Sequence, residues 1–204
     1  MDQKRGILFD LDGVFYVSNQ AIDGGKKLIN SLRNKSIPFR FLTNTTTKTR
    51  REIREKLGSF GLLIDEKEIF SAAYIGINYL RSIGSPPCHL LIHDNIYSDY
   101  SEFDVHDRKP EFVVIGDRGN KWNYDDLNKA FRYLMEGAGL IALHKGRYFQ
   151  TLQGLEIDIG AIITGLEYSS GQTAISLGKP NPKFFQTALG DISIGSGKAI
   201  MVGD

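Results

Sequence analysis

The chain contains a single cysteine and no long apolar segment. Cys88 alone cannot form an intrachain disulfide or a cysteine-based zinc site. No apolar run approaches the roughly 20 residues that a membrane-spanning helix needs. Asp10 and Asp12 interrupt the first apolar segment, so no signal-peptide core fits there. These absences predict a protein of the reducing cytoplasm.

Neither sign of charge is in excess. The 204 residues include 25 Lys and Arg against 24 Asp and Glu, which gives a formal net charge of +1. Proteins that bind nucleic acid or anionic membranes show a basic excess or stripe, and here the most basic run, 48–54, is broken by Glu52. The sequence therefore predicts neither a nucleic-acid partner nor a membrane partner.

Strand-like and helix-like segments alternate along the chain. The apolar run 7–10 is followed by a helical pattern over 23–35, and the strand-like run 37–43 by a helix that ends near Phe60. This order predicts a parallel sheet with helices on its faces. The pattern continues with predicted helices at 71–82, 124–136, 158–168 and from Pro182, and predicted strands at 89–93, 112–115, 140–143, 173–177 and 199–202.

Four polar segments stand at the C-terminal ends of predicted strands. They are Asp10-Leu11-Asp12-Gly13, Thr43-Asn44, Gly178-Lys179-Pro180 and Gly203-Asp204. Ligands of open parallel sheets bind at this edge. Each segment alone is typical of an ordinary turn, loop or strand end. The four together, in order and with complementary chemistry, indicate a functional site.

The residue types suit the transfer of a phosphoryl group. A carboxylate such as Asp10 can attack phosphorus, and a second one, Asp12, can protonate the leaving oxygen and later activate water. Thr43 offers a hydroxyl, and Lys179 offers a positive charge, to the phosphate oxygens. Asp204 is a hard oxygen ligand that, with Asp10 and a backbone carbonyl, suits Mg²⁺.

The same four segments resemble the motifs of haloacid dehalogenase-like phosphatases. The stretch between the second and third motifs resembles the α/β (C2) cap of the NagD-like subfamily. Finer matches, at 90–94, 128–132, 144–148 and 188–189, are similar to the branch of phospholysine, phosphohistidine and inorganic pyrophosphate phosphatases. The resemblance implies an α/β fold with a Rossmann-like parallel-sheet core over 1–67 and 178–204 and an inserted α/β cap domain over 68–177.

The resemblance also implies a role for each matched residue and a Mg²⁺ cofactor. Asp10 is the nucleophile and a metal ligand, and Asp12 is the general acid/base, which ligates Mg²⁺ through its backbone carbonyl. The remaining implied roles are phosphoryl binding by Thr43 and Asn44, charge neutralisation by Lys179 and metal ligation by Asp204. The family's fourth motif continues beyond this point, so we expect the natural protein to continue past Asp204 and the C-terminal part of the core to be missing here.

The sequence indicates the substrate contacts and the partners less specifically than it indicates the strand-end residues. His144, Lys145 and Arg147 are basic residues at the end of a predicted strand, with Tyr148 beside them. They would suit a second anionic group such as that of pyrophosphate, although a solvated turn explains them equally well. The expected partner is a small phosphorylated substrate or pyrophosphate. Caps of the resembling kind often mediate homodimers.

Two other functions stay open. A catalytically inert phosphate-binding or scaffolding protein of the same fold would keep the strand-end residues without turnover. A receiver-type signalling domain would need a long-lived aspartyl-phosphate, which Asp12 beside the nucleophile disfavours, and the 43–179 separation exceeds such a domain. A zinc site at His89 and His93 is not predicted, because the residues between them read as a strand rather than a helix.

Overall fold

The computed structural model describes residues 5–105, 108–151 and 153–203. Strands and helices alternate through most of this length. The strands are β1 Gly6–Asp10, β2 Tyr16–Val17, β3 Gln20–Ala21, β4 Phe39–Thr43, β5 Ile69–Ser71, β6 Cys88–Leu91, β7 Phe112–Ile115, β8 Gly139–Ala142, β9 Tyr148–Thr151, β10 Gly154–Ile157, β11 Ile175–Ser176 and β12 Ala199–Val202. The α-helices are α1 Gly25–Asn34, α2 Arg50–Ser59, α3 Ala72–Ser82, α4 Asp94–Tyr97, α5 Tyr124–Met135, α6 Gly160–Ser170 and α7 Pro182–Asp191.

The chain divides into two compact units. The first contains the described parts of 1–43, 50–71 and 179–204, and the second contains 44–49 and the described parts of 72–178. Each unit has its own four-stranded parallel sheet. The predicted α/β class with parallel sheets is therefore confirmed.

The sheet of the first unit has the strand order β12-β1-β4-β5. Strand β1 lies in its interior, where Phe9 is opposite Val202 on one side and Phe41 on the other. Phe9, Phe15, Phe39 and Phe41 form a buried aromatic cluster with ring centroids 5.3 to 6.4 Å apart. Because aromatic side chains bury the most apolar surface, this cluster holds β1 and β4 firmly in place.

Strand β5 is not among the strands predicted from the sequence. It pairs in parallel with β4, so that Thr43 is opposite Ser71, and this pairing places residues 69–71 in the first unit instead of in the predicted cap segment 68–177. All three residues of β5 are buried. A strand buried on both faces shows no alternation, and three residues are too few for a period to be recognised.

The sheet of the second unit has the order β11-β8-β7-β6. Its core includes Ile115, Leu140 and, from α6, Ile163. The hairpin β9–β10 is a separate antiparallel pair in which Tyr148 is opposite Ile157. Among the described residues, no helix is both long enough and apolar enough to span a bilayer.

Candidate active site

Asp10 ends the central strand of the first unit and contacts a lysine from the far end of the sequence. Its Oδ1 accepts a hydrogen bond from the Leu11 N–H at 2.7 Å, and Lys179 Nζ donates to its Oδ2. Only 18% of the Asp10 side chain and 15% of the Lys179 side chain are exposed. Because little water screens the pair, its electrostatic interaction is stronger than that of a surface ion pair.

The turn that carries Lys179 is fixed by the start of α7. Asn181 caps this helix, since its side-chain oxygen accepts the Lys183 N–H at 2.9 Å, and Pro182 occupies the first helical position. Asparagine at the cap and proline at the first position are both favourable helix starts. The sequence Lys179-Pro180-Asn181-Pro182 therefore folds locally into a defined turn that delivers the ammonium group to Asp10.

The ends of three strands meet around Asp10. Asp10 is opposite Leu42, so Thr43 lies one residue further along β4, and Thr43 is buried. Gly203 follows β12, and a Cβ added to it would lie 3.8 Å from the Cβ of Asp10. This convergence is what a parallel sheet predicts for its carboxyl edge. Asp204, the predicted metal ligand, lies outside the described residues.

Asp12 precedes a turn that brings Tyr16 to its carboxylate. Gly13 has a φ of 75°, which a residue with a side chain adopts only under strain, and this conformation lets the chain reverse. The Tyr16 hydroxyl donates a hydrogen bond to Asp12 Oδ2 at 3.1 Å. Lys56 Nζ lies 3.7 Å from the centroid of the Tyr16 ring. The sequence analysis identified neither Tyr16 nor Lys56, because neither belongs to a strand-end segment.

The pKa of Asp12 is raised above its ordinary value. The residue keeps an exposed edge, but protein atoms crowd its carboxyl group, and this desolvation is the main cause. The Tyr16 hydroxyl and Lys56 oppose the rise in pKa, while the charge of Asp10 adds to it. Burial, followed by the charge of Asp12, raises the pKa of Tyr16, so the phenol stays protonated and remains a donor. A carboxyl group with a raised pKa is suited to general acid catalysis.

The predicted substrate-contact residues lie in the second unit. His144 is buried, its Nδ1 accepts the Gly146 N–H at 3.3 Å, and the same nitrogen is 3.7 Å from Asp158 Oδ2. Burial lowers the pKa of His144, and the negative charges of Asp158 and Asp117 oppose that shift. At neutral pH the imidazole is therefore held mainly in its uncharged form.

The other predicted contacts of this unit have partners within it. Lys145 Nζ is 2.5 Å from Glu167 Oε2, and the Arg147 guanidinium is 5.6 Å from the centre of the Tyr148 ring. A Cβ added to Gly178 would lie 2.5 Å from His144 Cβ and 2.8 Å from Asn44 Oδ1, so only glycine fits there. The structure thus brings Asn44 and His144 together around Gly178.

Oxygen ligands suitable for Mg²⁺ are available at the end of β1. In the described ranges, no group of three or more His, Cys, Asp or Glu residues could hold a metal ion. Mg²⁺ does not require such a group, because it takes one or two carboxylates and fills its octahedral shell with waters and substrate oxygens. The Asp10 carboxylate and the backbone carbonyl of Asp12 are hard oxygen donors of the kind that this ion prefers.

Comparisons with known proteins agree with this arrangement. A model of haloacid dehalogenase-like hydrolases matches residues 7–106. Phospholysine phosphohistidine inorganic pyrophosphate phosphatase of Rattus norvegicus is 38% identical over 206 residues, with 98% of this chain and 75% of the relative covered. Haloacid dehalogenase-like hydrolase domain-containing protein 2 of the same organism is 36% identical over 200 residues, with 98% and 76% covered.

A solved structure shares the fold. The 4-nitrophenylphosphatase of Thermotoga maritima superposes with a TM-score of 0.91 at 24% sequence identity, with 98% of this chain and 78% of that chain covered. The family model and the two curated relatives, which are covered over most of their length, indicate the same family. The chain therefore belongs to the haloacid dehalogenase-like hydrolases, in the part of that family whose members are phosphatases.

Proposed function

We propose that the protein is a Mg²⁺-dependent phosphatase that hydrolyses phosphomonoesters or phosphoanhydrides through an aspartyl-phosphate on Asp10. The observation that carries the proposal is the contact between the Asp10 carboxylate, at the end of β1, and the Lys179 ammonium, in the turn before α7. A carboxylate held beside a confined cation is poised to receive an anionic group, because the cation remains to neutralise the phosphoryl oxygens.

The reaction would proceed in two displacements. In the first, a carboxylate oxygen of Asp10 forms a bond to phosphorus, the bond from phosphorus to the leaving oxygen breaks, and Asp12 donates its proton to that oxygen. In the second, Asp12 takes a proton from water, whose oxygen attacks phosphorus and releases Asp10 as a free carboxylate. The raised pKa of Asp12 favours the first of these proton transfers.

Mg²⁺ would be held by the carboxylate of Asp10, the backbone carbonyl of Asp12 and Asp204. When bound, it would supply positive charge to the phosphoryl oxygens. Thr43 and Asn44 would add a hydroxyl and an amide as hydrogen-bond partners for the same oxygens. Lys179 would add the charge of its ammonium group.

The substrate class is inferred from the curated relatives and from the second unit. One relative is named as a phosphatase of phospholysine, phosphohistidine and inorganic pyrophosphate. We propose pyrophosphate as the first anhydride to test, and His144, Lys145 and Arg147 as candidate anion-binding residues of the second unit. Lys145 and Arg147 are basic side chains, and Lys145 donates a hydrogen bond to the partly buried carboxylate of Glu167.

The proposed partner, besides the substrate, is a second copy of the chain. The supporting observation is one face of the hairpin β9–β10, which presents Tyr148, Leu155 and Ile157, all exposed. A two-stranded hairpin is marginally stable by itself, and exposed apolar faces of this kind are typical of contact surfaces.

The test is phosphate release from p-nitrophenyl phosphate and from pyrophosphate, each with Mg²⁺ and with EDTA. We expect release that needs Mg²⁺ and that Asp10→Asn abolishes. Asp23→Asn, which makes the same change at an exposed position of the same unit, is the matched control. Folded protein that releases phosphate equally well as Asp10→Asn would refute the aspartyl-phosphate mechanism.

The phosphate-release assay, together with binding measurements and mass spectrometry, separates the two alternative functions. An inert phosphate-binding protein would show no release from either substrate while still binding Mg²⁺ and phosphate. A receiver-type domain would accumulate a stable phosphoenzyme, which acid quenching and mass spectrometry would detect. The haloacid dehalogenase-like family membership and the placement of Asp12 beside Asp10 favour turnover over both.

A further inference from the structure

The carboxylate of Asp12 is held by a buried tyrosine that lies outside all four strand-end segments. Tyr16 is 4% exposed, and its hydroxyl donates to Asp12 Oδ2 at 3.1 Å. The ammonium nitrogen of Lys56 lies over the ring of this tyrosine, 3.7 Å from the ring centroid. These three side chains form a continuous series, Lys56 to Tyr16 to Asp12, that ends on one oxygen of the proposed acid/base.

The position of the tyrosine is determined by the backbone around it. The Gly13 N–H donates to the Tyr16 carbonyl at 2.9 Å, and residues 12 and 16 form a bridge. Strand β2 begins at Tyr16 and pairs with β3, with Tyr16 opposite Ala21. The ring also packs against Phe60, with 5.7 Å between centroids. The hydroxyl therefore reaches Asp12 from a direction that the fold sets, and it does not depend on a mobile surface side chain.

We infer that Tyr16 is a positioning residue that orients Asp12 for proton transfer to the leaving group, and that Lys56 supports it through the face of the ring. The inference rests on the proposed role of Asp12 as general acid/base. A phenol that donates to Oδ2 engages one carboxyl oxygen and leaves Oδ1 to carry the exchanged proton. A cation over the ring strengthens a phenolic donor, because it draws electron density from the oxygen toward the ring.

The choice of leaving group gives a readout that a purely structural role would not change. p-Nitrophenolate is a weak base and leaves phosphorus with little protonation, whereas phenolate is a stronger base and needs the proton from Asp12. The two aryl phosphates have nearly the same shape otherwise. The value of kcat/KM for each reports on the steps up to departure of the leaving group.

The experiment compares kcat/KM for phenyl phosphate and p-nitrophenyl phosphate in wild type and Tyr16→Phe. We expect a loss of about 10-fold for phenyl phosphate, a fraction of the 10²- to 10⁴-fold that general acid–base catalysis contributes, and a loss below about 3-fold for p-nitrophenyl phosphate. In an Asp12→Asn background, Tyr16→Phe should cause no further loss for phenyl phosphate, because the tyrosine acts only through Asp12.

Tyr100→Phe is the matched control. Tyr100 is also fully buried, and its hydroxyl donates to the Ala73 carbonyl at 2.8 Å in the second unit. It should lower the thermal midpoint about as much as Tyr16→Phe and leave the ratio of the two kcat/KM values unchanged. Lys56→Met, which keeps the side-chain stem and removes the charge, is the second variant, and a loss of about 3-fold for phenyl phosphate is expected.

The possible outcomes separate this inference from the proposed function. Equal losses for both substrates in folded Tyr16→Phe, or a further loss in the Asp12→Asn background, would overturn the positioning role while the phosphatase function stood. Wild-type turnover that Asp10→Asn leaves intact would overturn the proposed function, and the inference with it. If Tyr16→Phe does not fold, an unchanged ratio in folded Lys56→Met contradicts the inference.

Discussion

Each of the two units is built on a four-stranded parallel sheet with helices. The units differ in the solvent exposure of an aspartate–lysine pair at the edge of that sheet. Each has four parallel strands, and each has an aspartate paired with a lysine at the same edge of its sheet. In the first unit, Asp10 and Lys179 are 18% and 15% exposed. In the second, the aspartate and lysine are Asp94, which lies beyond the end of β6, and Lys121, and their side chains are 68% and 51% exposed.

This difference in exposure separates a reactive pair from a surface one. The hydrogen bond from Lys121 lowers the pKa of Asp94, but water and salt screen a pair that is this exposed. The side chains of Asp10 and Lys179 are only partly exposed, so solvent screens the charge of Lys179 less than it screens the charge of Lys121. A shared fold therefore does not imply a shared function, because function depends on the particular side chains at the strand ends.

The largest expected effect tests this comparison directly. Lys179→Met should reduce kcat for p-nitrophenyl phosphate by about 10²- to 10³-fold, because it removes the positive charge that would face the phosphoryl oxygens. Lys121→Met removes the equivalent lysine of the second unit and should change kcat by less than about 2-fold. Steady-state kinetics measures both. A similar loss in the two variants would mean that exposure does not distinguish the pairs.

The two cores should respond alike, in contrast to the two ion pairs. Leu57→Ala in α2 of the first unit and Leu140→Ala in β8 of the second each remove a buried side chain. Each should lower the free energy of unfolding by about 3 kcal/mol, since the lost transfer energy and the remaining cavity add together. Urea unfolding followed by far-UV circular dichroism measures both, and Trp122, the single tryptophan, follows the second unit by fluorescence. A loss below about 1 kcal/mol would show that the surrounding side chains relax to fill the cavity.

A smaller effect concerns a buried histidine in the second unit. Because burial holds the pKa of His144 below its ordinary value of about 6.5, the unfolded chain binds a proton there more readily than the folded protein does. Stability should therefore fall as the pH drops through and below about 6.5, and His144→Gln should reduce this dependence. The measurement is the free energy of unfolding of both proteins at about pH 8 and about pH 5.5. Equal pH dependence of the unfolding free energy in wild type and His144→Gln would contradict the assignment of this dependence to His144.

The smallest effect on stability is expected at the hairpin of the second unit. Leu155 and Ile157 are 66% and 77% exposed, so replacing both with serine should change the free energy of unfolding by less than about 0.5 kcal/mol. The same change should weaken self-association, which size-exclusion chromatography with light scattering measures across protein concentrations. Leu63→Ser, at a residue that is 76% exposed in the first unit, is the control and should leave association intact. Unaltered association in the hairpin variant would exclude this face.

The bounds of apolar strands and of an amphipathic helix were predicted well from the sequence. The strands at 112–115 and 199–202 have the bounds that the apolar runs indicated, and α5 ends one residue before its predicted end. The two strands are unbroken apolar runs, and α5 carries apolar residues at helical spacing after the capping residue Asn123. The hairpins β2–β3 and β9–β10 were missed, because their strands are largely exposed and mix polar with apolar residues, so no apolar run marks them.

The candidate site was predicted in part, for a related reason. Asp10, Asp12 and Thr43 stand at the ends of β1 and β4, and the carboxyl ends of parallel strands meet at one edge whatever the details of packing. Lys179 follows β11, which belongs to the other sheet, so its contact with Asp10 does not follow from this rule. The structure places Asp10, Asp12 and Lys179 close together in the first unit, while Asp204 lies outside the described residues. The roles of these residues remain proposals.

The sequence alone determined the α/β class, the order of strands and helices and the family, because periodicity and ordered motifs are local or one-dimensional properties of a chain. Tertiary structure alone decided that β5 pairs with β4, that His144 is buried beside Asp158 and that Tyr16 and Lys56 reach Asp12. These contacts join residues whose spacing along the chain shows no pattern. They form only when packing brings separate segments together and excludes water from between them.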